Sequence, residues 1–268
     1  MLIENCNHTR IQLIREYLTP FHRIQFFCVF FMISIGTSLQ ASSGLDSICR
    51  ISNDLAVIRI SDKVSMVKSF IEYPGYGRID ANGLLVETDE GIVLINTPWN
   101  DSLTTILLHW IDFTYPKQVL KVIITHSHED CSGGMGEVSR RRIATITLAK
   151  TNELLKEKNL PVATEIFTDS MTYNLPSYVM KLYFLGSGHT IDNIVVWLPS
   201  EKILYGGCLV KAIESLNLGN TKDADLVSWP TTIKCLIRRF PAARIVIPGH
   251  GNLGGLPLMT HTLQLLTK

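Results

Sequence analysis

The sequence carries almost no net charge. Its 25 basic and 24 acidic residues leave +1 at pH 7, which removes the electrostatic reason to expect a nucleic-acid partner. Only Arg140-Arg141-Arg142 and Arg238-Arg239 form tight basic clusters, and these read as solvated helix ends. Linkers and low-complexity stretches are absent, so nothing divides the chain into separate bodies. Cysteine is sparse: six residues whose spacing matches no dense disulfide framework. What remains is an ordinary globular composition, 46% apolar and 18% charged over 268 residues, enough to bury a substantial core.

A comfortable membrane span is also missing. Ile24 to Ile35 is an uncharged apolar run of about a dozen residues, short of the roughly 20 that a bilayer requires and of the length of a secretory core. Arg15, His22 and Arg23 precede it, and the small residues of Ser38 to Gly44 follow. Residues 1–41 are therefore expected to be an export signal, removed to leave one domain over 42–268 in the periplasm, with no membrane association afterwards. An uncleaved anchor is the other reading. Cys28 lies inside the run rather than at its end, which argues against a lipid anchor. Four cysteines then remain: Cys49, Cys131, Cys208 and Cys235.

Along the rest of the chain, β-branched and aromatic runs predict strands at Leu55–Ile60, Val64–Phe70, Gly83–Thr88 and Gly91–Ile95, joined by turns at Asp62-Lys63 and Asp89-Glu90-Gly91. The segment Glu72 to Gly77, with Pro74, two glycines and two tyrosines, reads either as a mobile flap over an apolar substrate or as a plain surface hairpin. A helix from Asp101, taken as its N-cap, to Trp110 precedes the strand Val119–Thr125. Gly133-Gly134 is expected to open a short helix, and Ala149–Lys158 an amphipathic one. Strands at Tyr178–Leu185, Asn193–Leu198, Lys202–Gly206 and Arg244–Pro248 follow, with helices at Leu226–Phe240 and Leu256–Leu266. Sheet-rich segments each followed by helices imply an α/β chain in four αββα layers, two mixed sheets face to face with helices outside.

Four strand-like runs end in a metal-type donor: His126, His128 and Asp130; His189 in Gly188-His189-Thr190; Cys208 in Gly206-Gly207-Cys208; and His250 in Pro248-Gly249-His250-Gly251. Glycine beside His189, Cys208 and His250 lets the backbone turn closely. Six donors exceed what one tetrahedral zinc uses, so they divide into two sites. His126, His128 and His189 leave a fourth position open for water, whose pKa zinc brings to about 7. Asp130, Cys208 and His250 form a mixed site whose soft thiolate favours zinc over magnesium or calcium. His109 and His261 lie outside this pattern.

These motifs, with Asp192-Asn193, Lys211, Leu218-Gly219-Asn220 and Asp223-Ala224-Asp225, resemble the metallo-β-lactamases of subclass B1 from about Leu55 to the C-terminus. Relatives of other activity carry a histidine after the motif aspartate and a bridging aspartate later; here Cys131 and Cys208 stand there. The resemblance implies hydrolysis of a small-molecule β-lactam (penicillins, cephalosporins and carbapenems) by a monomer holding two Zn2+ ions. A metal-bound hydroxide would attack without an acyl-enzyme, and the second zinc would take the leaving nitrogen. It implies catalytic roles for Asp130 and Asn220, with Asn220 supporting the lactam oxygen and Lys211 binding the substrate carboxylate. Asn96 departs from the family's usual aspartate, which puts zinc affinity at the second site in doubt. Two alternatives stand beside this reading: a hydrolase of the same fold acting on a thioester, lactone or phosphodiester, and an exported zinc-binding protein without catalysis.

Overall fold

A computed structural model describes residues 47–267, and the expected export signal lies outside them. Among the described residues, thirteen strands form two sheets. The first takes β1 (Ile48–Ser52), β2 (Leu55–Arg59), β3 (Val64–Tyr73), β4 (Gly77–Glu87), β5 (Ile92–Ile95), β6 (Val119–Ile124), β7 (Ala144–Leu148) and β8 (Glu165–Phe167) side by side in chain order. Pairing is antiparallel through β5 and parallel from β5 to β8. The second sheet runs β13 (Ile245–Pro248), β12 (Ile203–Gly207), β11 (Val195–Leu198), β10 (Val179–Tyr183), β9 (Ser170–Asn174), with only β12 and β13 parallel.

Period-two alternation puts apolar side chains on both faces of the first sheet. In β5, Val93 and Ile95 join the core between the sheets, while Ile92 and Leu94 face outward. That outer face is covered by α1 (Asp101–Thr114), α3 (Met135–Arg140) and α4 (Ala149–Glu157), through Leu107, Ile111, Val138 and Leu155. The second sheet is covered by α5 (Trp229–Arg239) and α6 (Pro257–Leu266), through Ile233, Leu236, Leu258 and Met259. Met66, Leu84, Ile123, Met180, Val196 and Tyr205 meet in the central layer. The fold is the expected αββα sandwich. No helix among the described residues is long and apolar enough to cross a membrane.

Several local expectations need correction. Asn100, not Asp101, caps α1: its side chain accepts the Leu103 N–H at 2.9 Å, and Asp101 is the first helical residue. The short helix expected at Gly133-Gly134 is α3, with Gly134 as its N-cap, but a further short helix that was not expected, α2 (Glu129–Ser132) with His128 as its N-cap, precedes it. Asp130 therefore sits in the first turn of a helix. Strand pairing carries the Glu72–Gly77 segment almost to its tip, with Tyr73 opposite Gly77, so it is a hairpin and the predicted Gly83 strand starts six residues early. Strands β1, β7, β8 and β9 were not anticipated; β1, β8 and β9 are short edge strands whose exposed residues give little apolar signal, whereas β7 is an inner strand of only five residues.

Candidate metal centre

Each donor but Asp130, which lies in α2, sits just beyond the end of a strand or in the loop between two. Residues 125–128 leave β6, His189 lies between β10 and β11, Cys208 follows β12, and His250 follows β13. Because β12 and β13 are parallel and pair Gly207 with Pro248, their C-terminal ends deliver Cys208 and His250 side by side. Gly249 permits the approach, since a Cβ there would lie 2.2 Å from Cys208 Sγ.

His126, His128 and His189 form one group, their rings 4.8, 5.2 and 5.2 Å apart. His126 Nε2 is buried without a hydrogen-bond partner, and Asp130 Oδ1 approaches it to 3.5 Å without making one. Burial, reinforced by the His126 charge, lowers the pKa of His128 and holds that of His189 well below the usual imidazole value. The shift favours the neutral, ligating form of both rings. His128 Nε2 lies 3.0 Å from Asp223 Oδ2, which fixes the ring with Nδ1 inward. Trp229 packs edge-on against His189 at 5.9 Å.

The second group is Asp130, Cys208 and His250. Asp130 Oδ2 lies 2.9 Å from Cys208 Sγ and 3.3 Å from His250 Nε2, which is 3.5 Å from Cys208 Sγ. A hydrogen bond from Cys131 lowers the Cys208 thiol to about 5 despite burial. Burial would raise Asp130, but His126 and His250 bring it well below the usual carboxylate range. Two anions in contact require a cation between them. The charges of Cys208 and Asp130 overcome burial and raise His250 well above the usual value. His250 Nδ1 donates to the Asp80 carbonyl, so Nε2 faces its two anionic partners. An unpartnered imidazole nitrogen and a carboxylate–thiolate pair fit a thiophilic divalent metal such as zinc.

The donors floor a cleft of about 460 Å³. Tyr76, Tyr73, Trp99 and His250 run along one wall, with ring centroids about 6 Å apart from each to the next. Lys211 and Asn220 also line it. Lys211 is 9% exposed, with Nζ 5.4 Å over the Trp229 ring and a pKa lowered by burial. Asn220 is exposed, and its Oδ1 accepts the Lys222 N–H at 3.0 Å, which leaves its amide nitrogen as the group to meet a carbonyl oxygen. Asp130 is buried between the two donor groups, points at partners of both, and lines the cleft. Six of the eight predicted site residues line this cleft, and the other two, His126 and Cys208, are buried against them.

No protein-family model matches the sequence. A metallo-β-lactamase type 2 of Bacteroides fragilis is 41% identical over 219 residues, 82% of this chain and 88% of that protein. The chain is a metallo-β-lactamase. This metallo-β-lactamase is therefore a hydrolase of β-lactams and a metal enzyme. A metallo-β-lactamase from Pontibacter korlensis superposes with a TM-score of 0.78 at 42% identity, over 80% of this chain and all but 1% of that one. The metallo-β-lactamase FIM-1 from Pseudomonas aeruginosa, solved in a mono-zinc form, matches at 32% identity and a TM-score of 0.75, over 81% and 98% of the two chains.

Two contributors escaped the sequence reading of this metallo-β-lactamase. Cys131 registered only as a departure from relatives, yet its sulfur lies within 4.8 Å of ligand atoms of His126, Asp130 and Cys208. Asp223 was part of a motif without a role, and it holds His128. Adjacency to Asp130 was the available signal for Cys131. Nothing along the chain marks Asp223 as a neighbour of His128, 95 positions away.

Proposed function

We propose that this enzyme uses two zinc ions to open penicillins, cephalosporins and carbapenems, and that it belongs to subclass B1. The observation that carries this reading is the convergence of His126, His128 and His189 with Asp130, Cys208 and His250 on one cleft floor. The first three would hold one ion and the second three the other. Bound there, zinc supplies an acidified water as nucleophile and positive charge for the departing ring nitrogen.

The rest of the work falls to the chain. Lys211, buried and cationic, pairs with the substrate carboxylate and fixes the ring's orientation. The Asn220 amide donates to the lactam oxygen as negative charge grows on it. Tyr73, Tyr76 and Trp99 cover the apolar substituent and exclude water. Asp223 and the Asp80 carbonyl keep His128 and His250 in their ligating orientation.

Imipenem and nitrocefin hydrolysis by purified protein, before and after EDTA, with metal content measured on the same sample, tests the reading. Activity is expected to vanish with the metal, to return with zinc at two equivalents, and to ignore clavulanate, which traps a serine nucleophile. Turnover that survives complete zinc removal would refute it. The apolar run Ile24–Ile35 supports export to the periplasm with loss of residues 1–41, and the supply of both donor groups by this one chain supports a monomer. The mass of the mature protein and its sedimentation check both.

A further inference from the structure

Behind Cys208 lies a buried cluster whose hydrogen atoms can all be assigned. Asn96 stands at the end of β5 with φ +65°, a left-handed conformation that asparagine tolerates better than most residues. Its Oδ1 accepts the Thr125 N–H at 2.9 Å, and because a backbone N–H can only donate, this fixes which end of the amide is oxygen. The nitrogen end is then directed at Cys131 Sγ, 2.9 Å away, and at Tyr205 Oη, 2.8 Å away. The Tyr205 hydrogen goes to the Asn82 carbonyl. Asn96, Cys131, Tyr205 and Cys208 are each no more than 3% exposed, so water does not complete the set.

The amide nitrogen carries hydrogens and no available lone pair, so Cys131 Sγ must be the acceptor in its contact with Asn96. Thr125 Oγ1 approaches the same sulfur at 3.6 Å. Its own S–H is then free to turn to another acceptor, and the Cys208 sulfur lies within 4.8 Å. A carboxylate at position 96 would do the reverse. It would accept the Cys131 S–H and draw it away from Cys208.

We propose that Asn96 and Cys131 are positioning residues for the second metal site: by donating to Cys131, Asn96 turns the Cys131 S–H onto Cys208 and so sets how strongly that sulfur donates to a bound ion. The proposal rests on the reading that Cys208 ligates the second ion. A hydrogen bond to a metal-bound thiolate withdraws electron density from sulfur, which raises the energy of the sulfur-to-metal charge-transfer transition. The exchange of aspartate for asparagine at position 96 is then a reversal of hydrogen-bond direction next to the ligand.

The test is cobalt(II) substitution of the full-length mature enzyme, following the sulfur-to-cobalt band as the second equivalent is added. Cys131→Ala removes the donor, and the band is expected to move to lower energy. Cys131→Ser keeps a donor and is expected to hold the band near its parental position. Asn96→Asp is expected to shift it as Cys131→Ala does, and the double variant Asn96→Asp/Cys131→Ala to add nothing further. An unchanged band in Cys131→Ala, or equal shifts in Cys131→Ala and Cys131→Ser, would overturn the proposal. An unshifted band in Asn96→Asp would overturn the part given to Asn96. Absence of any sulfur-to-cobalt band in the parent at two equivalents would instead overturn the underlying assignment of Cys208 as a ligand, so the two failures are distinguishable.

Discussion

Replacing Lys211 by methionine isolates the contribution of one positive charge to substrate capture. The methionine stem preserves most of the packing over Trp229, whose ring lies 5.4 Å from Lys211 Nζ, while the cation is lost. Lys211 is only 9% exposed, so its interaction with a carboxylate in the cleft is little screened by solvent. A hydrogen bond to a charged group at such a site is worth about 1.5–3 kcal/mol. At about 1.4 kcal/mol per factor of ten, kcat/KM for an anionic lactam should fall roughly 10–160-fold. The carboxylate is remote from the scissile bond and is held alike in ground and transition states, so the loss should appear as a higher KM at nearly constant kcat.

The assay is steady-state nitrocefin hydrolysis, run in parallel with the methyl ester of the same substrate. The parent enzyme should lose about the same factor when given the ester, and Lys211→Met should lose little more on the ester than the parent does. Equal loss by the variant on acid and ester would mean that Lys211 shapes the cleft rather than binding the carboxylate. An unchanged KM for the acid would remove it from substrate binding altogether.

Metal loading should depend on pH differently at the two sites. His250 is raised, so below its folded pKa a proton occupies the nitrogen that faces Asp130 and Cys208, and second-site affinity should weaken about tenfold per pH unit of acidification. His128 and His189 are lowered, so acidification should loosen the first site less than the second; zinc titration against a chromophoric chelator at about pH 6 and about pH 8 checks this, and parallel loss at both sites would contradict it. Asp223→Ala should lower first-site zinc affinity by roughly 10–100-fold and leave the second site near its parental value, read in the same titration. Gly133→Ala would place a Cβ 2.0 Å from the Trp99 carbonyl oxygen, and overpacking of this kind costs about 1–3 kcal/mol. Thermal unfolding should show a Tm lower by roughly 2–12 °C, and an unchanged Tm would mean that the α2–α3 junction yields freely.

Much of the architecture was legible along the chain. Strands such as β5 and β6 are short β-branched runs bounded by turn formers, and α5 and α6 have clear helical spacing, because burial on one or both faces leaves a periodic trace in the sequence. The donors were legible for a different reason. Glycine before a histidine or cysteine at three separate places, together with a strand that runs into His126-Ser127-His128, is hard to explain by core packing alone. Edge strands β8 and β9 were not legible, since exposed residues there are chosen by solvent rather than by period.

The sequence by itself determined which residue types were available, how they were spaced, and that their chemistry suited zinc. Only the tertiary structure decided which of them meet. The parallel pairing of β12 with β13 brings Cys208 beside His250, packing of the two sheets carries both to the ends of β4 and β6, and the Asp223 loop closes over His128. It also decided the direction of the hydrogen bond between Asn96 and Cys131, which depends on a backbone N–H at Thr125 that no residue letter records. The physical reason is that pattern reports the burial of each residue separately, whereas a metal site and its supporting contacts are properties of pairs brought together only when the chain folds.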